Sequence, residues 1–327
     1  MRVLFLGGTG IISSACARVA LEQGIELAAL VRGRTSSRPL PDGVEALHAD
    51  VRDESSLDAA LSDRRFDAVV DFVAYTPEHV GADLRRFAGR VGQYVFISSA
   101  SAYRKPLASL PIVEATPLAN PHWAYSRDKI ACEEMLWRAW RDEGVPVTIV
   151  RPSHTYDRTS VPTTGGWTDI ERMRRGDPVV VHGDGTSLWV LTHHHDFARA
   201  FVGLLGNPKA IGEAFHITGD ELCTWNEIYG ALGRAAGVEP HLVHVSSDTV
   251  ARNVPEWGPG ILGDKAHSVI FDNTKIKRVV PGWQATIPFA VGAREIVEWH
   301  DGDAVRRRSE ESVDVAMDLL AGKALAD

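Results

Sequence analysis

The chain has 327 residues, 44% apolar and 24% charged, with a formal net charge of −8. That is the composition of a globular protein with a sizeable core. No apolar run approaches the ~18 residues of a membrane helix, and the acidic balance speaks against a nucleic-acid-binding surface. Cys16, Cys132 and Cys223 are odd in number and form no CxxC, so neither a disulfide framework nor a zinc site is expected. Reduced thiols and an N-terminus without the long apolar region of a secretory leader together predict a cytoplasmic protein.

In chain order, Val3–Leu6, Leu27–Val31, Val44–Leu47, Ala68–Val73, Tyr94–Ile97 and Val145–Val150 read as strands. They are short and almost continuously apolar, as strands buried on both faces are. Helical stretches fall near 11–23, 54–62, 78–89 and 125–143. This alternation predicts an α/β fold with a doubly wound parallel sheet. Beyond Arg151-Pro152 the texture turns irregular. A strand Val179–His182, a helix Asp196–Leu205, a strand Ala214–Thr218 and a helix Trp225–Ala236 stand among longer loops. The charged tail from Asp301 reads as a surface helix. The expected organisation is a dinucleotide-binding domain over 1–152, completed by parts of 180–220, and a smaller, irregular, mainly substrate-binding domain over 153–327.

Gly7-Gly8-Thr9-Gly10-Ile11-Ile12-Ser13 leaves the first strand and opens the first helix. Glycines in that place allow a tight turn and close backbone approach to a pyrophosphate, which the helix N-terminus receives. Gly7 and Gly10 take those roles, and Ser13 stands at the third, helix-packing position. The second strand ends in Arg32-Gly33-Arg34 where NAD-binding chains carry an acid. Arginine pairs with a 2′-phosphate, so of NAD or NADP the latter is favoured.

Ser98-Ser99-Ala100-Ser101 ends the fifth predicted strand, at the carboxyl side of the sheet where ligands bind. Tyr125 and Lys129 follow on one face of a helix. A phenol has an ordinary pKa of about 10. A neighbouring ammonium favours its ionised form, and a serine hydroxyl can hold the reacting oxygen while the phenol moves the proton.

With these pieces in order the chain resembles the extended short-chain dehydrogenases/reductases, the group of nucleotide-sugar epimerases and dehydratases. Gly7-Gly8-Thr9-Gly10, Asp50-Val51-Arg52-Asp53, Phe96-Ile97-Ser98-Ser99, Tyr125-Ser126-Arg127-Asp128-Lys129, Arg151-Pro152 and Gly183-Asp184-Gly185 carry the resemblance. It implies a Rossmann fold and a Ser99, Tyr125, Lys129 triad, with Lys129 also holding the nicotinamide ribose. It places Gly7, Thr9, Gly10, Ile11 and Ile12 on the dinucleotide and Asp50 and Val51 at adenine; Arg32, a departure from the family pattern, joins the cofactor-binding residues by its own charge and position. Phe72, Val73 and Ala74 would line the nicotinamide side, with Pro152 and Ser153 beside the carboxamide. Homodimerisation through the helices near 78–89 and 125–143 is implied as well. Ala100 and Ser101 replace the Asp-Glu pair of the dehydratases, and Ser153-His154-Thr155 lacks the Asn common in sugar-nucleotide enzymes.

The expected function is an NAD(P)-dependent epimerase that transiently oxidises a hydroxyl of a nucleotide sugar or related small molecule. The alternatives are an NADPH-dependent ketoreductase with the same triad, a dehydratase or decarboxylase, and a non-enzymatic nucleotide-binding protein. Tyr75, Ser101, His154, Trp167 and Trp189 are the expected substrate-lining residues. His193-His194-His195-Asp196 is set aside as a metal site, because neighbouring histidines diverge and no second cluster completes the set. Asp196 is expected to cap the following helix. Trp123, Trp137 and Trp140 are read as packing or interface.

Overall fold

The computed structural model describes residues 1–33, 37–62 and 64–324. Strands β1 (Arg2–Leu6), β2 (Glu26–Val31), β3 (Glu45–His48), β4 (Ala68–Asp71), β5 (Gln93–Ile97) and β6 (Val147–Pro152) alternate with helices α1 (Ile11–Glu22), α2 (Glu54–Leu61), α3 (Pro77–Phe87) and α4 (Ala124–Glu143). Then come β7 (His154–Tyr156), α5 (Trp167–Arg175), β8 (Val179–His182), β9 (Leu188–Trp189), β10 (Leu191–His193), α6 (His194–Val202) and β11 (Glu213–Ile217). The rest holds β12 (Cys223–Thr224), α7 (Trp225–Ala235), β13 (Leu242–Val245), α8 (Ser247–Asn253) and α9 (Gly258–Gly260), which runs into a π-helical turn, Ile261–Lys265. Helices α10 (Thr274–Val279), α11 (Phe289–Asp301) and α12 (Glu311–Ala324) close the described chain. None of its helices is long and apolar enough to cross a membrane.

The central sheet is parallel, in the order β11-β6-β5-β4-β1-β2-β3. This is the doubly wound Rossmann arrangement, with the order reversing beside β1. Val3 and Phe5 face one apolar layer with α1 and α6; Leu4 and Leu6 face the other with α2, α3 and α4. Burial on both faces explains the near-continuous apolar runs. Both faces draw on the later chain. Phe197 and Phe201 of α6 fill the first layer, and β11 pairs with β6 from Thr148↔Glu213 to Pro152↔Ile217.

Strand β4 stops two residues before the predicted Val73. The buried Asp71 carboxylate accepts the N–H groups of Val73 and Ala74 at 2.7 and 2.8 Å. That turns the chain out of the sheet. The predicted helix from Asp196 starts two residues earlier, at His194. Its N-cap is His193, whose Nδ1 accepts the His195 N–H at 3.3 Å. Asp196 is not the cap; it is buried and accepts from Thr286 N and Ile287 N. The tail is more than a solvated helix. Met317, Leu320 and Ala321 of α12 pack with Val180 and Val245 of the β8–β13 pair.

Candidate active site

The cofactor side is built first by backbone. Gly7 has φ of +83°, and a Cβ there would lie 2.6 Å from Val73 Cγ1. A Cβ on Gly8 would lie 2.8 Å from Ala29 and Leu40. Ser13 fills the third position differently from a glycine: its hydroxyl accepts the Gly10 N–H at 2.8 Å and fixes the start of α1. The result is a turn with glycine at three of its four positions, at a helix N-terminus, the setting that receives phosphate. A cleft of about 560 Å³ runs from it along Thr9, Arg32, Asp50, Val51, Phe72 and Val73. Its volume fits a dinucleotide. Arg52 reaches across to the Val73 carbonyl. Arg32 is exposed at the rim; Arg34 lies outside the described residues. Ile11 and Ile12 begin α1 behind the cleft, with Ile12 packed on the core. Ala74 is fully buried, and its contribution is a carbonyl.

Helix α4 brings the other groups. Asn120, ahead of it, accepts from the N–H groups of His122 and Trp123 at 3.2 and 3.1 Å. This Asx turn sets the helix start. The same side chain donates to the carbonyls of Ser101 and Gly263 at 2.9 and 2.7 Å. One amide therefore ties α4, the turn after β5 and the π-helical turn together. One turn beyond Lys129 on the same face of α4, Glu133 accepts from Ser98 Oγ at 2.5 Å and from Arg151 Nε and Nη2 at 2.9 and 2.5 Å.

Tyr125 and Lys129 thus stand one helical turn apart beside Ser99. The buried Lys129 ammonium donates to the carbonyls of Ala74 and Ile97, both at 2.7 Å. It lies 5.8 Å from the centre of the Tyr125 ring. Burial pulls it down to about 8, with the Asp71 charge opposing. Burial pushes the Tyr125 phenol up to about 12; a hydrogen bond with Ser99 acts the other way, and the charge of Asp264 adds to the rise. Ser99 Oγ lies 2.9 Å from Ser101 Oγ, itself 2.8 Å from Ser126 Oγ, so Ser101 belongs to a chain of hydroxyls.

Ser99, Ser101 and Tyr125 border a cavity of about 300 Å³ with Trp123, Pro152, Ser153, His154, Trp189, Asp264 and Lys265. Expected lining residues Ser101, His154 and Trp189 are there. Tyr75 is not: it is exposed and lines the cofactor cleft. Trp167 is a second correction. At the start of α5 it is buried, stacked on His300 at 4.3 Å between ring centres, with its Nε1–H on Glu171. Asp264 and Lys265 carried no motif in the sequence. Asn120 did carry a signal, since Asn-Pro before a helix marks a turn. Among the described residues no three His, Cys, Asp or Glu side chains form a metal-binding group. His193 Nε2 meets Glu295 at 3.0 Å, while His194 packs toward the Ile11 carbonyl.

The sheet order, the glycine turn and the cleft define a dinucleotide-binding α/β enzyme of the short-chain dehydrogenase/reductase type. A family model described as the NAD dependent epimerase/dehydratase family matches residues 3–86 and 82–218. The chain belongs to that family.

Its relatives have diverse activities. It is 27% identical over 289 residues to 2′-dehydrokanamycin reductase of Streptomyces kanamyceticus, covering 87% of this chain and 80% of that one. It is 28% identical over 256 residues to the chloroplast stem-loop binding protein of 41 kDa b of Arabidopsis thaliana, covering 74% and 65%. It is 32% identical over 171 residues to UDP-glucose 4-epimerase of Lactobacillus helveticus, covering 46% and 51%. Among solved structures, epimerase Mth375 of Methanothermobacter thermautotrophicus superposes with a TM-score of 0.77 at 17% identity, covering 94% of each chain. UDP-glucuronic acid 4-epimerase of Bacillus cereus gives 0.73 at 18%, covering 94% and 100%. At those identities the likeness is one of fold.

Proposed function

We propose that the protein is an NAD(P)-dependent oxidoreductase that interconverts a ketone and a secondary alcohol on a sugar-like small molecule. The observation that carries this is the Ser99–Tyr125 pair of hydroxyls on the wall of the inner cavity, with Lys129 behind it. When bound, the nicotinamide supplies or accepts the hydride. The chain supplies the rest. Ser99 holds the substrate oxygen, and Tyr125, a phenol that burial keeps protonated, gives that oxygen its proton in the direction of reduction. Lys129 is fixed by two carbonyls, leaving a third N–H for a ribose hydroxyl and a positive charge that stabilises the phenolate formed. Trp123 and Trp189 wall the cavity, as suits a sugar ring. The reductase relative, matched over most of both chains, supports net reduction. We also propose that 153–327, apart from α6 and β11, forms the substrate side.

Epimerisation of a nucleotide sugar is the second reading. The 32% identity to UDP-glucose 4-epimerase supports it, and it begins with the same oxidation. Cofactor deuterated at the transferable position separates the two. A reductase consumes it one-for-one and puts the label into product; an epimerase consumes none. Tyr125→Phe is expected to bind cofactor normally, by melting-temperature shift, and to lose turnover by about 10²–10⁴-fold. Near-normal turnover in that variant refutes the mechanism.

A further inference from the structure

Two buried carboxyls lie near Lys129 and border neither the cofactor cleft nor the cavity at Tyr125. Asp71 ends β4, and Asp83 comes from α3. With Tyr94 of β5 and Lys129 itself, none is more than 4% exposed. The Tyr94 hydroxyl joins the two, 3.2 Å from Asp71 Oδ2 and 2.9 Å from Asp83 Oδ2. A phenol has one proton to donate. Two such contacts therefore call for a second proton, which sits on a carboxyl. The surroundings decide which one. Asp71 Oδ1 already accepts the N–H groups of Val73 and Ala74, and such bonds favour the ionised form. Asp83 has no such pair of donors among the described residues, and burial and the Asp71 charge push it well above the usual carboxylate range. The Asp83 carboxyl thus donates to the Tyr94 oxygen, and Tyr94 donates to Asp71.

The cluster keeps one negative charge, and Lys129 lacks one. Its ammonium is buried against two carbonyls and has no ion pair with a described residue. A buried charge without a counter-charge is costly. The other groups around it do not serve. On its own helix, Glu133 is neutralised by Arg151 at 2.5 Å, and burial pushes the Cys132 thiol up to about 12. The Tyr125 phenol stays protonated for the same reason. The Tyr75 and Phe96 rings lie 4.9 and 4.7 Å from Nζ and offer only their faces. Arg52, after β3, carries like charge. Burial pulls His79 of α3 below its ordinary value and leaves it neutral. Asp71 remains, and it is the strongest opposite charge acting on Lys129. The same carboxylate fixes the turn whose Ala74 carbonyl receives Nζ at 2.7 Å.

We propose that Asp71, Asp83 and Tyr94 hold two protons among them and so one negative charge, and that this charge keeps Lys129 an ammonium in its buried site. Asp71 is thereby a positioning residue of the reaction, acting on Tyr125 through Lys129. Asp83 holds the proton that spares the cluster a second charge. The role in the reaction rests on the reading that Lys129 stabilises the Tyr125 phenolate; the charge arrangement does not.

The test is a pH titration of the full chain, followed by NMR at carbon-13-labelled lysine side chains. The sequence holds seven lysines, so the signals are few, and Lys129→Arg identifies the one that disappears. In wild type the Lys129 signal should titrate at about 8. Asp83→Asn replaces an uncharged acid by an uncharged amide, so its midpoint should stay within about half a pH unit of wild type. Asp71→Asn alone is not enough, since Asp83 would give up its proton and take over the charge. The double variant Asp71→Asn/Asp83→Asn keeps oxygens that accept hydrogen bonds and removes the charge. Its Lys129 midpoint should fall by about one pH unit or more. A fall of less than about half a unit in the double variant, or a larger one in Asp83→Asn, overturns the proposal. A purely structural part for Asp71 would move the melting temperature and leave the midpoint. If the double variant does not give native circular dichroism, the infrared difference between wild type and Asp83→Asn decides. At neutral pH it should show the carbonyl stretch of a protonated carboxyl, and its absence overturns the proposal. None of these readings needs a substrate. Hydride transfer is followed separately by cofactor absorbance. The expected shifts without turnover of any ketone refute the proposed activity and leave the counter-charge; turnover with an unshifted Lys129 does the reverse.

Discussion

Glu133 shows how much of the site rests on single side chains. Its carboxylate is fully buried and neutralises Arg151, whose Nη1 also donates to the Glu114 carbonyl at 3.0 Å. Glu133→Ala leaves that guanidinium buried without a counter-charge, at a cost of about 3–5 kcal/mol. The expected result is a lower urea midpoint with an unchanged slope; a loss below about 1 kcal/mol contradicts the assignment. At this scale the sequence was partly legible. Tyr125 and Lys129 stood out because helical spacing puts them on one face, and Gly7 because only glycine fits its φ and its contact with Val73. Trp167 did not, because what covers its indole is His300, on a helix far along the chain. Lys265 had neither periodicity nor motif to mark it, and its place at the cavity comes from three donors that fold onto its carbonyl.

Among elements, the strands of the central sheet were readable because burial on both faces leaves little but apolar side chains. Their ends were less so. Asp71 terminates β4 by capturing two amides, while its neighbour Asp83 is pushed well above the usual carboxylate range by burial and by the Asp71 charge. Helix α5 carries a buried acid with a readable consequence. Asp169 is pushed up to about 7, chiefly by burial; the nearby Thr163 hydroxyl, a hydrogen bond from the Gly165 N–H and the charge of Arg172 pull it down. A carboxyl raised in the fold contributes stability that is fully present below its unfolded value and is lost as pH rises through the folded one. Wild type should therefore lose stability between about pH 4 and pH 7, with a slope approaching about 1.4 kcal/mol per pH unit. Asp169→Asn removes this dependence, so its melting temperature should gain on wild type from about pH 4 to about pH 7 and hold that gain above. A constant difference between the two proteins across that range contradicts the assignment.

For the molecule as a whole, the early, regular half declared its class, whereas most of 237–300 was blank to sequence reading. That part is made of short pieces stabilised by distant partners. Examples are β13 on β8 and the Ile112–Phe271 bridge. The same non-local logic governs the sheet. Residues 1–152 alone lack β11 and the Phe197 and Phe201 rings, so the β6 edge and one apolar face stand open. That fragment should express as aggregate or as a chain without cooperative unfolding; a soluble fragment with a sharp melting transition refutes the argument. The strand order also has a consequence in time. Ribosomes add about 5–20 residues per second, so a nascent chain shows the bare edge of β6 for several seconds before β11 emerges to cover it. The cell must carry that unfinished sheet past its neighbours on crowded polysomes. Slow codons between Pro152 and Glu213 are expected to lower the yield of native protein more than the same codons after Ile217.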